Sequence, residues 1–336
     1  MMKPLKKMGM ICLLFIVSVV IATGCGPTKI KFFADAEDPL LEFTLMGNGK
    51  DKIAVIPITG FISDSPSEKF MNTQPGTVQE LKAQLTLAEN DYRVKAVLLK
   101  INSPGGTATA SDIIYNELIN FKKRTGKKVA AILMDVAASG GYYVALPSDV
   151  IVAHPTTITG SIGVVMFSLQ LKKLMDKIGV EMQVSKSGEN KDMGSPFREP
   201  SKVEKELLQQ LTRQLGDRFQ SLVKKHRNPD AKQAKQISTA RIFSAKDAQN
   251  MGLVDHIGYI NDAIGILQKI ANIAQNSRII MYRRVLFPND NIYNTMAAQQ
   301  VAVNPVSLIN FSLPGHLGQL NDGFYYLWAP GWAGNQ

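Results

Sequence analysis

The stretch that decides the fold is Val94-Lys-Ala-Val-Leu-Leu-Lys-Ile101, which runs directly into Asn102-Ser-Pro-Gly-Gly106. A short apolar run closed by Pro and Gly predicts a buried strand followed by a turn. Apolar residues then recur with helical spacing over residues 108–124, and Gly126 supplies a stop signal. The centre of the chain is therefore predicted to be a strand–turn–helix unit.

The alternation of strand and helix continues on both sides of this unit. Further strand candidates lie at 52–60, 128–134, 149–153 and 181–185, and helical patterns lie at 77–90, 169–178, 202–227 and 244–251. Such alternation predicts repeated βαβ units and a largely parallel sheet, which is an α/β fold. Since no internal repeat is evident, we predict one domain at 51–275, a tether at 25–50 and an irregular C-terminal extension at 276–336.

The N-terminus has the pattern of an export signal. Three lysines among the first seven residues precede an apolar run at 8–22, shorter than the roughly 20 residues of a comfortable transmembrane helix. Ala22-Thr-Gly-Cys25 resembles the lipobox of bacterial lipoproteins, with alanine where leucine is usual. We predict a signal sequence at 1–24, either lipoprotein-type with lipidation at Cys25 or an uncleaved anchor. Both alternatives place the protein at a membrane, outside the cytoplasm.

Composition and charge argue against several classes of protein and of binding site. The 336 residues are 45% hydrophobic and 20% charged, which is typical of a globular protein rather than a disordered or fibrous one. The net charge of +10 includes three lysines of the export signal, and the rest is scattered among acidic residues without an aromatic-interleaved basic stripe. We therefore expect no nucleic-acid partner. Two cysteines and four histidines leave little material for a disulfide framework or a zinc site, so no metal or other cofactor is expected.

A glycine pair follows each of two predicted strands, and these two turns are the candidate catalytic site. They are Gly105-Gly106 and Gly140-Gly141, and Ser139 stands directly before the second pair. Backbone N–H groups at a helix N-terminus are unpaired, and two of them aimed at one point would stabilise an oxyanion. Ser139 is placed to be a nucleophile. Ordinary strand-to-helix turns, however, also favour Gly, Ser and Pro for conformational reasons.

A serine nucleophile needs a base, and the residue pattern alone does not select one. No histidine has a context that suggests an orienting carboxylate near the glycine turns; the four are His154, His226, His256 and His316. A lysine kept neutral by burial can also accept the serine proton. Lys191 lies in a loop at 187–198, but composition does not distinguish it from the other lysines.

Five ordered segments resemble bacterial signal peptide peptidase A, also called protease IV, a family of membrane-associated serine peptidases. The segments are Asn102–Gly106, Ala138–Tyr143, Thr159–Val164, Ser187–Pro196 and Gly252–Gly258. The resemblance covers residues 53–270 and implies a crotonase-like and Clp-protease-like α/β fold in its single-domain form. It also implies a substrate class, namely hydrophobic peptides such as cleaved signal peptides, at the extracytoplasmic side of the bacterial cell membrane.

The resemblance assigns roles to individual residues. It implies a Ser–Lys dyad in which Ser139 is the nucleophile and Lys191 is the general base and acid. Gly106 and Gly140 would supply the oxyanion-hole N–H groups, and Ser161 would orient the lysine amine. In single-domain relatives the serine and lysine of one site come from neighbouring subunits, so a ring-shaped homo-oligomer is implied.

Two alternative functions and one structural question stay open at this point. A crotonase-type acyl-CoA enzyme shares the fold and the two-amide oxyanion hole, although CoA is a cytoplasmic cofactor and the export signal opposes it. A catalytically silent membrane scaffold would keep only the fold and the assembly. The apolar cluster Phe324-Tyr-Tyr-Leu-Trp328 needs something to pack against, and we expect it either on the ring or in a substrate groove.

Overall fold

A mostly parallel sheet forms the centre of the molecule. The computed structural model describes residues 38–69, 72–287, 289–294 and 323–328, with the backbone alone described over 67–69 and 72–73. The strands are β1 (Leu41–Met46), β2 (Lys52–Ile62), β3 (Ser67–Lys69), β4 (Asn72–Gln74), β5 (Val94–Thr107), β6 (Lys128–Ala138), β7 (Val150–Ala153), β8 (Ile158–Gly160), β9 (Val165–Phe167), β10 (Ile242–Ser244), β11 (His256–Ile257), β12 (Arg278–Arg283) and β13 (Gly323–Leu327). The helices are α1 (Thr77–Asn90), α2 (Ala108–Thr125), α3 (Gly140–Ala145), α4 (Lys172–Ile178), α5 (Lys202–Arg227), α6 (Ala231–Ile237), α7 (Ala245–Asn250) and α8 (Ile260–Ile270).

The strand order confirms the predicted α/β architecture. The main path of the sheet is β1-β12-β2-β5-β6-β7-β11, and every neighbouring pair from β12 to β11 is parallel. Helices α1, α2 and α3 connect β2, β5, β6 and β7 in turn, with the β3–β4 hairpin inserted before α1. The predicted stop signal after α2 is also present, because Gly126 has a left-handed φ of 67°.

Side chains of β5 enter two separate cores. Val97 and Leu99 lie in the core that includes residues of α1 and α2, whereas Leu98 lies in the core that includes residues of α8. The alternation of side chains along a strand produces this division. Helix α8 presents Ile264 and Leu267 to the second core at helical spacing. The sheet is thus covered on both faces, which explains the continuous apolar run of β5.

Two central strands are longer than predicted: the extra residues of β5 contain Gly105 and Gly106, and those of β6 lead to the turn at Ser139 that precedes Gly140 and Gly141. Strand β5 continues to Thr107, where it pairs with β13, and β6 continues to Ala138, where it pairs with β8. Neighbouring parallel strands end at one edge of a sheet. The turns at the carboxyl ends of β5 and β6 are therefore held side by side.

The predictions for the two ends of the domain are partly wrong. Residues 41–46 of the predicted tether form β1, which pairs antiparallel with β12. The predicted irregular extension supplies both β12 and β13 to the main sheet. The physical reason is that β2 is apolar on both faces and needs a parallel neighbour on its outer edge, which β12 provides. The signal sequence at 1–24 and Cys25 lie outside the described residues.

One other element differs from its prediction. Residues 181–185 form no strand, and their side chains are exposed. Their alternating pattern is that of a strand, but no edge of the described sheet pairs with them. Over the described ranges, no helix is both long enough and apolar enough to cross a membrane.

A buried arginine ties β12 to the segment that follows it. The Arg283 side chain is 1% exposed, and its Nη1 donates to Asp290 Oδ1 at 2.8 Å. The guanidinium carbon lies 4.3 Å from the ring centroid of Phe43 in β1 and 4.6 Å from that of Phe287. A buried guanidinium is tolerated only when it is paired, so Asp290 is the partner on which this corner depends.

We expect Asp290→Asn to lower the free energy of unfolding by about 3 kcal/mol, because it leaves the buried Arg283 charge uncompensated. Urea denaturation measures the loss. The matched control is Asp176→Asn, which breaks the exposed pair with Lys172 on α4 and should cost about 0.3 kcal/mol. Equal losses in the two variants would contradict the assignment.

Candidate active site

Ser139 occupies a strained turn between β6 and α3. Its φ of 52° and ψ of −117° lie in a region that residues with a side chain rarely adopt. The turn is fixed at both ends, because the Ser139 N–H donates to the Gly160 carbonyl at 2.7 Å and its carbonyl accepts from the Tyr143 N–H at 2.9 Å. The Ser139 hydroxyl is buried and has no hydrogen-bond partner among the described residues. A buried hydroxyl left unpaired in this way is available for chemistry.

The two glycine pairs touch each other through their backbones. A Cβ on Gly140 would stand 3.1 Å from Gly105 Cα, and a Cβ on Gly141 would stand 2.5 Å from the Ser103 carbonyl oxygen. Gly105 itself has a φ of +110°. Only glycine permits this approach. Gly140 is the first residue of α3, where the backbone N–H has no partner within the helix. The arrangement can present N–H groups to one point beside Ser139.

Ser161 is held near Ser139 by a hydrogen bond that Ser139 makes to the preceding residue, Gly160. The carbonyl of Gly160 accepts the hydrogen bond from the Ser139 N–H, and Ser161 follows directly. Its own N–H donates to the Arg241 carbonyl at 2.9 Å, and its φ is 51°. Ser161 is half-buried in this second constrained turn. The structure therefore brings together Ser139, Ser161 and both glycine pairs.

Lys191 is not part of that cluster in a single chain. It lies in a loop of turns after residue 186, and its side chain is exposed. Its ammonium group forms no hydrogen bond or ion pair with the described residues. Because the Ser139 hydroxyl also has no partner there, the expected Ser–Lys contact is not made within one chain.

The loop that carries Lys191 is nevertheless held in place by charges. Arg198 donates to Asp192 at 2.8 Å through Nε and to Glu204 at 2.7 Å through Nη1. Hydrogen bonds from Arg198 and then Lys186 hold the pKa of the Asp192 carboxyl well below its usual range. Glu204 also accepts from the Gly194 N–H at 2.6 Å and completes the capping box of α5. Lys191 thus stands on an ordered, outward-facing loop.

The C-terminal strand covers the glycine pairs. Strand β13 pairs antiparallel with β5, with Tyr326 opposite Gly106, and its other edge pairs antiparallel with β9. The Tyr326 carbonyl oxygen stands 1.9 Å from where a Cβ on Gly105 would be and 3.0 Å from where one on Gly140 would be. A main-chain carbonyl of the protein itself therefore lies close to both Gly105 and Gly140. Residues 324–327 of the apolar cluster therefore pack, as part of β13, between β5 and β9.

None of the described histidines contacts Ser139. His226 Nε2 lies 2.8 Å from the Tyr115 hydroxyl, and burial lowers the pKa of His226. His154 Nδ1 lies 2.8 Å from the Thr156 hydroxyl at the surface. His316 is outside the described residues. No described histidine is thus placed to act as the base for this serine.

Sequence comparisons with known proteins agree with a peptidase. The model of peptidase family S49 matches residues 121–274, and the Clp protease model matches residues 71–156. A putative signal peptide peptidase SppA of Enterococcus faecium is 34% identical over 272 residues, covering 78% of this chain and 79% of that protein. Protease 4 of Haemophilus influenzae is 34% identical over 247 residues, covering 73% of this chain and 39% of that protein. A solved structure of the 1510-N membrane-bound stomatin-specific protease superposes with a TM-score of 0.41 at 19% identity, covering 65% of this chain and 85% of that one.

Gly105→Ala should slow the reaction of Ser139 with a fluorophosphonate by at least about tenfold, because the added Cβ would stand 2.8 Å from the Gly140 nitrogen and disturb the turn contact. Intact-mass spectrometry over time measures this rate, and circular dichroism checks the fold.

Gly126→Ala is the matched control, since it has a φ of +67° but nothing within 4 Å of an added Cβ. It should cost about 1 kcal/mol of stability and leave the labelling rate unchanged. Wild-type labelling by a folded Gly105→Ala protein would show that the turn contact is not needed.

Proposed function

The chain is a serine-type peptidase of the signal peptide peptidase A family, peptidase family S49, and we propose that it cleaves hydrophobic peptides with a dyad of Ser139 and Lys191. The observation that carries the proposal is the buried, unpaired Ser139 hydroxyl in a strained turn beside two touching glycine pairs. Membership of a peptidase family leaves the crotonase-type acyl-CoA reaction and the silent scaffold without support.

In the proposed mechanism, Ser139 Oγ attacks the carbonyl carbon of the scissile peptide bond. The neutral amine of Lys191 accepts the serine proton and then delivers it to the leaving amine. The oxyanion is stabilised by the N–H groups of Gly106 and Gly140. Water, deprotonated by the same lysine, hydrolyses the acyl-enzyme and regenerates the Ser139 hydroxyl. Ser161 accepts or donates a hydrogen bond that orients the lysine amine.

The lysine in this dyad comes from a second copy of the chain. Lys191 is exposed and has no partner among the described residues, and the surface leading to it carries exposed apolar side chains, namely Leu169, Leu174, Ile178, Val180, Met182 and Val184. The last three alternate along residues 180–184, which have strand-like spacing but pair with no strand in the described part of the chain. A neighbouring subunit that covers this apolar surface would bury it and bring the partner subunit's Lys191 to Ser139. Repetition of the contact gives a ring-shaped homo-oligomer.

The substrate is an extended apolar peptide at the outer face of the bacterial membrane. A groove of about 570 Å³ lies beside the strand that pairs with β13, and Val164, Val165, Met166 and Leu208 are among its lining residues. Extended peptides bind open strand edges through their backbone and use pockets for their side chains. Cys25 would hold the enzyme at the membrane through a lipid, where cleaved signal peptides remain.

Co-expression of Ser139→Ala with Lys191→Ala tests the shared site. Each variant alone should be inactive on an apolar fluorogenic peptide, because each site lacks one member of the dyad. In mixed rings about one quarter of the sites combine an intact serine with an intact lysine, so about a quarter of wild-type activity should return. Differently tagged chains confirm mixing. Mixed rings without activity would contradict a site shared between subunits.

Mass spectrometry of the mature N-terminus tests the anchor. The wild-type chain should begin at Cys25 and carry a diacylglycerol, and Cys25→Ser should lose both the lipid and the membrane attachment. Cys12→Ser, which changes only the predicted signal, is the matched control and should leave the mature protein unchanged. A mature chain that begins elsewhere would contradict the lipoprotein prediction.

A further inference from the structure

Ser103 lies where strand β5 loses its regular pairing with both of its parallel neighbours. Against β2 the register shifts between Thr59 and Phe61, and against β6 it shifts between Ile101 and Ser103 of β5 itself. Irregularities of this kind bend a strand and redirect its residues, and they are common beside active sites. Here the shift directly precedes Pro104 and the first glycine pair. Ser103 is therefore placed to set the direction in which the glycine turn leaves the sheet.

The Ser103 hydroxyl makes the hydrogen bonds that hold this irregular segment. Ser103 is fully buried, and its Oγ donates to the Gly60 carbonyl at 2.6 Å and accepts from the Gly105 N–H at 3.0 Å. Pro104 has no N–H, so the Gly105 N–H is the first backbone donor after Ser103. A serine that accepts from the N–H two residues further on closes a local turn. One hydroxyl thus ties β2 to the first residue of the glycine pair.

The same hydroxyl determines the direction of the Gly106 N–H. Ser103 Oγ lies 3.4 Å from the Gly105 carbonyl oxygen, so this carbonyl is directed towards Ser103. No described peptide bond is cis. In a trans peptide group the carbonyl and the following N–H point in opposite directions. The Gly106 N–H belongs to the same peptide group as the Gly105 carbonyl, and it therefore points away from Ser103.

The main chain of Ser103 also meets the second glycine pair. A Cβ on Gly141 would stand 2.5 Å from the Ser103 carbonyl oxygen and 3.4 Å from Ser103 Cβ. Gly141 is the second residue of α3, which begins directly after Ser139. Ser103 is thus in contact with both turns of the site.

We infer that Ser103 is a positioning residue of the peptidase, whose hydroxyl holds Gly105 so that the Gly106 N–H is directed at the oxyanion. The inference rests on the proposed function of Ser139. Without the hydroxyl, the Gly105 N–H and the Gly60 carbonyl lose a buried partner and regain one only if the turn rotates. A donor that is turned aside stabilises the transition state less, whereas binding of the substrate is little changed.

The test compares Ser103→Ala with the wild type, both as the full assembled chain, on an apolar fluorogenic peptide. We expect kcat to fall by at least about tenfold and KM to change by less than about twofold, because the weakened interaction is made only in the transition state. A peptide boronate of the same sequence, which adds to Ser139 Oγ and becomes tetrahedral, measures the oxyanion hole separately. Its Ki should rise by about the factor by which kcat/KM falls.

Ser277→Ala is the matched control, because it removes a buried hydroxyl at the opposite edge of the sheet. The Ser277 hydroxyl accepts from Gln268 Nε2 at 3.0 Å, directly before β12 begins. This variant should lose stability but keep the wild-type kcat and boronate Ki. Ser103→Cys keeps only a weak donor and acceptor, so its kcat should lie between those of the wild type and Ser103→Ala. It also supplies the measurement if Ser103→Ala does not fold.

The outcomes separate the positioning role from the peptidase proposal. A wild-type kcat and boronate Ki in a folded Ser103 variant, a rise of KM alone, or an equal fall of kcat in Ser277→Ala would overturn the role of Ser103 and leave the peptidase proposal standing. A wild-type protein that neither cleaves the peptide nor binds the boronate would overturn the proposed function, and the role of Ser103 with it.

Discussion

The contact between the two glycine turns is the constraint on which the rest of the site depends. Gly105 and Gly140 approach so closely that neither position has room for a side chain. This contact exists because β5 and β6 are parallel neighbours whose carboxyl ends meet at one edge of the sheet. Ser139 directly precedes Gly140 in this turn and has a strained conformation at the start of α3. The fold thus supplies the position, the strain and the N–H groups of the site at once.

The surroundings of the site differ on its two sides. On one side β13 pairs with the strand that carries Gly105 and Gly106, and the Tyr326 ring stacks on Tyr143. On the other side, Lys191 projects outward on a loop held by Asp192, Arg198 and Glu204. Among the described residues of one chain, β13 lies beside the glycine pairs and Ser139 makes no contact with Lys191. Under the proposed assembly, activity requires the arrival of a neighbouring subunit that supplies Lys191.

Local sequence patterns predicted the elements near the glycine turns well. The apolar run at 94–101, the helix ended by Gly126 and the long helix at 202–227 are all present, because each is determined by nearby residues. The tether and the extension were partly wrong because β1 and β12 pair with each other across most of the chain. Long-range pairing of this kind leaves little local signal in either strand. The strand expected at 181–185 has the right alternation but lacks a partner edge within one chain.

For the site, Ser139 and the glycine pairs could be found from the sequence, whereas Lys191 depended on a family resemblance. A base exposed on a loop has no local pattern that separates it from other lysines. The ring contacts of Tyr326 could not be predicted, because its partners Tyr143 and Phe219 come from α3 and α5, far from it in the sequence. In the sequence, the aromatic cluster at 324–328 was the only sign of these contacts. It indicated that the cluster packs against other residues, but not which ones.

The most direct measurement is peptide mapping of the assembled wild-type protein after reaction with a serine-directed fluorophosphonate. The proposed site predicts a single adduct on the peptide that contains Ser139, formed only when the partner subunit's Lys191 is intact. An adduct on another serine, or undiminished labelling of Ser139 in the Lys191→Ala protein, would contradict it.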